Sequence, residues 1–249
     1  MRKVTGVRPA ELSALDEERF GVRTAKAFVS AIEEVPALID FCRDRGARFL
    51  IVRCPAEALA AAQSLEDAGC RLMDVLAYFT RDLQRTPIPA EVNPVRIRPA
   101  RAEDVEAVTD IARESFRGYL GHYHADPRLD RDACDEVYVS WARRSCLSRQ
   151  VADEVIVAED AGVQLGFLTL QRNSAEEGQA VLSGIAPAGQ GRGIYRSLIT
   201  WGMEWSRQGG GRRMIAVTQI TNIAVQKVLA RLGFEMHHSH LTFHKWFDG

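Results

Sequence analysis

The second half of the chain is a series of switches between two periodicities of apolar and polar residues. Residues 95–98 (VRIR) read as a short strand. Residues 102–116 place Val105, Val108, Ile111, Ala112 and Phe116 on one stripe, the spacing of an amphipathic helix. Residues 131–147 predict a second helix, with Val137, Trp141 and Cys146 roughly in phase. Two apolar runs, EVIVAED and QLGFLTLQ, flank Asp160-Ala161-Gly162 and predict a hairpin. Residues 179–186 predict a strand, 192–207 a helix, 212–218 a strand, and 221–233 a helix closed by Gly233. The segment EMHHSHLTFHKWF then alternates as strands do. The order β-α-α-β-β-β-α-β-α-β predicts an α/β fold, a mixed sheet with helices on its faces.

Residues 85–94 (RTPIPAEVNP) carry Pro87, Pro89 and Pro94, which forbid a continuous helix and favour an extended linker. Residues 1–84 are therefore expected to form one lobe and 95–249 another. The two lobes share a grammar. Residues 46–79 can be laid against 211–243, each running glycine, apolar strand, polar turn, amphipathic helix, glycine, and a strand that ends in Phe79 or Phe243. Two readings stay open. Any strand-helix-strand unit could produce the likeness, or the chain holds a duplicated half-fold. In the second case the first copy, which lacks a glycine-rich loop, is a structural partner.

Composition narrows the function classes. A balance of 46% hydrophobic and 26% charged residues is that of a globular protein. A formal charge of -1 gives no footprint for nucleic acid or an anionic membrane. Five scattered cysteines with no C-x-x-C argue against a disulfide framework or structural zinc, and for a reducing cytoplasm. The first residues hold no signal-peptide core, and no apolar run nears the ~20 residues that span a bilayer.

The chemistry gathers at 184–201 (GIAPAGQGRGIYRSLITW), where a strand hands over to a helix through three glycines. The first backbone N–H groups of a helix lack intrahelical partners and sit at its positive end. Glycines let an anion approach them, so the loop reads as a phosphate site. It is neither a Walker loop nor G-x-G-x-x-G.

This loop resembles the pyrophosphate loop of the GNAT acetyltransferase superfamily, Gln/Arg-x-x-Gly-x-Gly/Ala after a strand that ends Val-x-Pro. Here Ile185-Ala186-Pro187 ends the strand, Gln190, Gly193 and Ile194 fit the loop, and Tyr195 replaces the usual glycine or alanine. The likeness covers about residues 95–249. Thr218-Gln219-x-x-Asn222-x-Ala224 and Phe20-Gly21-Val22 resemble, more narrowly, dTDP-fucosamine acetyltransferase and its relatives, which acetylate a nucleotide-linked amino sugar.

The resemblance implies a GNAT-type mixed central sheet flanked by helices, with a smaller N-terminal half lobe. It implies acetyl-CoA as co-substrate, a small amine acceptor, and no metal. Gly184, Ile185, Gln190, Gly191, Arg192, Gly193, Ile194, Tyr195 and Asn222 would contact the coenzyme. Asn222 has a second reading as the cap of the following helix. The family's thiolate-protonating tyrosine falls on Leu229, which cannot donate a proton. Candidate catalytic groups are therefore Tyr195 from the loop and His122 and His124 from residues 115–130, a stretch that also carries two tyrosines and Asp126 for sugar hydroxyls. Glu176 and Glu177 are candidates for a water-mediated base, and His238 with His240 for a metal. Competing functions are transfer to a protein N-terminus or another small amine, or non-catalytic acyl-CoA binding. A homodimer stays open.

Overall fold

The computed structural model describes residues 10–90 and 95–248. Pro94 and the rest of 91–94 lie outside the described residues, as does the start of the chain. The first half runs β1 (Glu11–Leu12), α1 (Ala14–Phe20), β2 (Thr24–Phe28), α2 (Glu34–Asp44), β3 (Phe49–Pro55), α3 (Leu59–Asp67) and β4 (Arg71–Asp82). The second runs β5 (Arg96–Pro99), α4 (Val105–Phe116), α5 (His122–Ala125), α6 (Arg131–Leu147), β6 (Glu154–Asp160), β7 (Val163–Ser174), β8 (Glu177–Ile185), α7 (Ile194–Gln208), β9 (Arg213–Gln219), α8 (Ile223–Arg231) and β10 (Glu235–Trp246). Apart from the one-turn α5, this is the predicted order. In the β6–β7 hairpin Ala161 (φ 48°) and Gly162 (φ 84°) both take the left-handed conformation that tight hairpins require.

The ten strands of the described residues join one sheet, in the order β1-β2-β3-β10-β4-β9-β8-β7-β6-β5. Strands from the two halves interleave: β10 enters between β3 and β4, and β4 lies between β10 and β9. Exchanging β2, β3 and β4 for β8, β9 and β10 turns the stretch β2-β3-β10-β4-β9-β8 into its own reverse. Parallel pairs (β2 with β3, β8 with β9) sit at both ends and antiparallel pairs in the middle. The sequence offset that relates Phe79 to Phe243 also relates Leu76 to His240, and those two residues face each other across the central pair. Gly69 and Gly233, which close α3 and α8, share left-handed φ values of 81° and 80°.

Alternation along the strands sorts the helices. Leu50, Val52, Phe243, Ala77, Phe79, Met214 and Ala216 point to one face, where α2, α3, α7 and α8 bury them. The other face carries α1, α4, α5 and α6 over Phe49, Ile51, Val157, Phe167 and Leu182.

The first strand of the second half is locked by charge. Arg98 forks onto Asp104, Nη1 to Oδ2 at 2.6 Å and Nη2 to Oδ1 at 2.9 Å, while its Nε donates to Glu159 at 2.8 Å. Arg98 holds the fully buried Asp104 carboxyl down at about 2, with help from the Arg101 N–H and Gln164. A depressed carboxyl stabilises the fold above its unfolded value of about 3.9, and that contribution fades as pH falls toward 2. Arg98→Met strands Asp104 in the interior and is expected to cost about 3–5 kcal/mol in urea unfolding at pH 7.

Candidate active site

The sheet parts at one place. β8 and β9 pair from Glu177/Arg213 to Ala180/Ala216 and no further, although both strands continue. The cause lies on the other side of β8. Its partner on β7 jumps from Leu170 (opposite Ala180) to Thr169 (opposite Leu182), which leaves Val181 as an extra residue. Such a bulge bends its strand and increases the twist. The Leu182 N–H donates to Thr169 Oγ1 at 3.0 Å, and the Ala186 N–H to the Leu165 carbonyl at 2.9 Å. Strand alternation then turns the peptide groups of Ser183 and Ile185 away from β7, into the gap. The Ile185 carbonyl accepts from Ser115 of α4 at 3.2 Å. At Gly184 the strand is crowded by both β7 and α4: a Cβ there would lie 2.7 Å from Phe167 and 2.9 Å from Ser115 Oγ.

Beyond the gap the chain turns through the glycine loop into α7. Gly191 (φ 73°) and Gly193 (φ 74°) are both left-handed. No side chain caps the helix, whose first peptide groups point outward from Gly193. Arg192 leads away, its guanidinium paired with Asp160 at 2.5 Å. Gln190 and Tyr195 line the same cleft as Ser183, Gly184 and Ile185. Asn222 also lines it, and its side-chain oxygen accepts from the Val225 N–H at 3.2 Å, the helix-cap role.

The cleft continues across the sheet to strands of the first half. Asp16, Lys26, Phe28, Arg53, Asp74 and Tyr78 form this wall, none of them a residue the sequence motifs single out. Lys26 is paired with Asp16, whereas Arg53 is exposed and has no carboxylate within salt-bridge distance among the described residues. Asp74 accepts the His122 N–H on Oδ2 at 3.0 Å and has the Thr242 hydroxyl beside it, and burial raises its carboxyl above the usual value. β2 and β3, the counterparts of β8 and β9, stay paired from Thr24/Phe49 to Phe28/Arg53, so the first half has no matching gap.

The histidines divide. His122 lines the cleft, and its Nδ1 lies 2.9 Å from Nε2 of His244, whose Nδ1 lies 2.9 Å from Asp126 Oδ2. Burial, with His244, Arg53, Lys26 and His124 nearby, holds the proton affinity of His122 well below the ordinary imidazole value. His124 instead turns to α6, where its Nε2 meets Asp135 at 2.9 Å. Asp126 is 2% exposed and engaged by His244 and Trp246, so the structure removes it from the candidates for sugar hydroxyls. Glu176 and Glu177 pair with Arg212 and Arg213 at the far end of β8 from the glycine loop. His238 stacks on Tyr78 and His240 lies tilted against the same ring, and no group of three metal-ligating side chains occurs among the described residues. No described helix is long and apolar enough to cross a membrane.

Over most of its length the chain is similar to known proteins. The model of the acetyltransferase (GNAT) domain matches residues 95–235. The chain belongs to the GNAT acetyltransferase family. It is 28% identical over 204 residues to the spore coat polysaccharide biosynthesis protein SpsD of Bacillus subtilis, covering 80% of this chain and 66% of that one. It is 26% identical over 197 residues to mycothiol acetyltransferase of Corynebacterium efficiens, covering 77% and 62%. It thus spans just under two thirds of the length of these relatives. A GCN5-related N-acetyltransferase from Kribbella flavida superposes with a TM-score of 0.66 at 15% identity, over 97% of this chain and 88% of that one.

Within this GNAT domain, Leu229 is fully buried in the core and contributes nothing to the cleft. The α8 side chains that line the cleft are Ala224, Val225 and Val228, none of which carries a proton to give. Tyr195, half-buried at the start of α7 and packed on the same core as Val225 and Val228, does carry one, and burial raises its phenol well above the usual tyrosine value.

Proposed function

We propose that this protein is an N-acetyltransferase that moves an acetyl group from acetyl-CoA to an amine of a small polar acceptor, a nucleotide-linked amino sugar in its finer form. The observation that carries the reading is the juxtaposition in one cleft of free β8 peptide groups, an uncapped α7 and His122. The amides at Gly191, Gly193, Ile194 and Tyr195 suit the diphosphate, with Gln190 beside them. The exposed edge at Ser183 and Ile185 suits the pantetheine amides, and the Ile185 N–H suits the thioester oxygen as it gains charge.

In the reaction the amine nitrogen attacks the thioester carbonyl. The C–N bond forms, the C–S bond breaks, and the proton shed by nitrogen goes to His122 Nε2. A histidine of depressed affinity is a weak base toward a free ammonium but an adequate one toward the N-protonated adduct. Tyr195, kept protonated, supplies the proton for the departing thiolate.

Residues of the first half support a polar, acidic acceptor. Among the described residues Arg53 has no carboxylate in salt-bridge range, and Asp74 lines the same wall, where a hydroxyl or an ammonium would meet it. The polysaccharide role in the name of the Bacillus relative supports a sugar. Turnover of an acceptor panel (nucleotide-linked amino sugars, free amino sugars, peptides and polyamines), followed by thiol release and mass spectrometry, tests the reading. Arg53→Gln is expected to raise the acceptor KM about 10-fold or more for phosphorylated amines and to leave uncharged amines unaffected. Tight acetyl-CoA binding with no thiol release for any acceptor would replace the enzyme by a binding module.

A further inference from the structure

We infer that Asp126 and His244 are positioning residues that fix which nitrogen of His122 carries its proton, and so make His122 a base rather than an acid on the side facing the cleft. The inference deepens the acetyltransferase reading and rests on it for the role of His122.

Asp126 Oδ2 accepts from Trp246 Nε1 at 2.9 Å, and Oδ1 accepts from the Arg128 N–H at 3.0 Å. So many donors keep it ionised, and an ionised carboxylate only accepts. The nitrogen that faces it at 2.9 Å, Nδ1 of His244, must therefore carry hydrogen. In neutral His244 the other nitrogen is then bare. It faces Nδ1 of His122 at 2.9 Å, so that atom must carry hydrogen as well. The lone pair of neutral His122 is left at Nε2, which has no hydrogen bond to any described residue. Each link has one solution because each end of an imidazole dictates the other.

Burial makes the pattern persistent. His122 is 7% and His244 1% exposed, and Phe49 lies edge-on to the His244 ring at 4.8 Å, so bulk water does not reset the protons. The relay also answers a charge problem. Lys26 from β2, Arg53 from β3 and His124 from α5 all oppose a positive charge on His122, and Asp74 from β4 meets only its backbone N–H. When Nε2 takes a proton, the charge can be shared through His244 toward Asp126, the one carboxylate in line with the ring.

Two-bond 15N–1H spectra of histidine-labelled full-length protein at pH 8 read the tautomers directly. Both His122 and His244 are expected as Nδ1–H forms, whereas free histidine favours Nε2–H. Asp126→Ala is expected to lose this pattern and to lower kcat at least about 10-fold, with acceptor KM changed less than 2-fold. Asp126→Asn, which keeps an acceptor oxygen and the shape, serves if the alanine variant does not fold; it is expected to keep the tautomers and still lose kcat. An Nε2–H form of His122 in the unmodified protein, or unchanged tautomers and kcat in Asp126→Ala, would overturn the inference. Should the tautomers hold while His122→Asn turns over normally, the relay stands and the base assignment of the proposed function falls.

Discussion

Replacing His122 with asparagine is expected to lower kcat by about 10²- to 10⁴-fold, the usual contribution of a positioned general base, with little change in acceptor KM. Asparagine is the informative substitute. Its amide nitrogen sits close to where imidazole Nδ1 lies, so the hydrogen bond to His244 and the local packing survive while the basic nitrogen disappears. The pH profile adds a second check. Burial and the surrounding cations hold His122 well below the ordinary imidazole value, so it is already unprotonated through the neutral range. The acid limb of kcat/KM should then follow the acceptor amine, moving when an amine of different basicity is used, and no limb near 6.5 should belong to His122. A limb that stays fixed near 6.5 for every acceptor would show that His122 titrates as a free imidazole and does not sit in the relay.

The second large effect concerns the loop. Gly193→Glu is expected to reduce acetyl-CoA affinity at least about 100-fold in isothermal titration, for two separable reasons. At φ 74° a residue with a Cβ is strained by roughly 1–2 kcal/mol. The new carboxylate also occupies the positive end of α7, where it competes with the diphosphate. Gly193→Asn avoids most of both effects, since asparagine tolerates the left-handed conformation and adds no charge. It should cost only a few-fold. Equal binding by the glutamate variant and the unmodified protein would take the loop out of the coenzyme site.

The sequence shows the fold of the second half well because its elements are amphipathic and bounded by turn residues. The spans 131–147 and 154–160 match α6 and β6 to the residue. The one-turn α5 escapes periodicity because four residues hold no repeat. The pairing of the halves escapes for a different reason. Pro87 and Pro89 signal a break in local structure, and nothing local reports that β4 and β10 each sit beside strands of the opposite half. The repeat of 46–79 in 211–243 did carry the information, since Leu76 and His240 meet at the centre of the sheet. We propose that this symmetry reflects a duplicated half-fold whose first copy keeps β2 and β3 closed and supplies the acceptor wall.

The site divides along the same line. The glycine loop, Gly184, Ile185 and Asn222 lie close together along the chain, within reach of a local motif, and all line the cleft or border it. Asp74, Arg53 and His244 come from three different strands and gain meaning only when the sheet places them around His122. Period-two alternation offered one clue, because His240 and His244 share a face of β10. Leu229 shows the converse: the position that the motif singles out is packed in the core, and the hydroxyl we propose in its stead belongs to Tyr195 of α7, which lines the cleft.

The central claim is that acetyl-CoA lies in the opening where β9 leaves β8, with its diphosphate on the start of α7. Hydrogen–deuterium exchange of the full chain with and without acetyl-CoA tests it most directly. The account predicts new protection in two segments, residues 181–186 and 190–196, and none in the closed β2–β3 pair. Protection confined to other segments, or none at saturating acetyl-CoA, would contradict it.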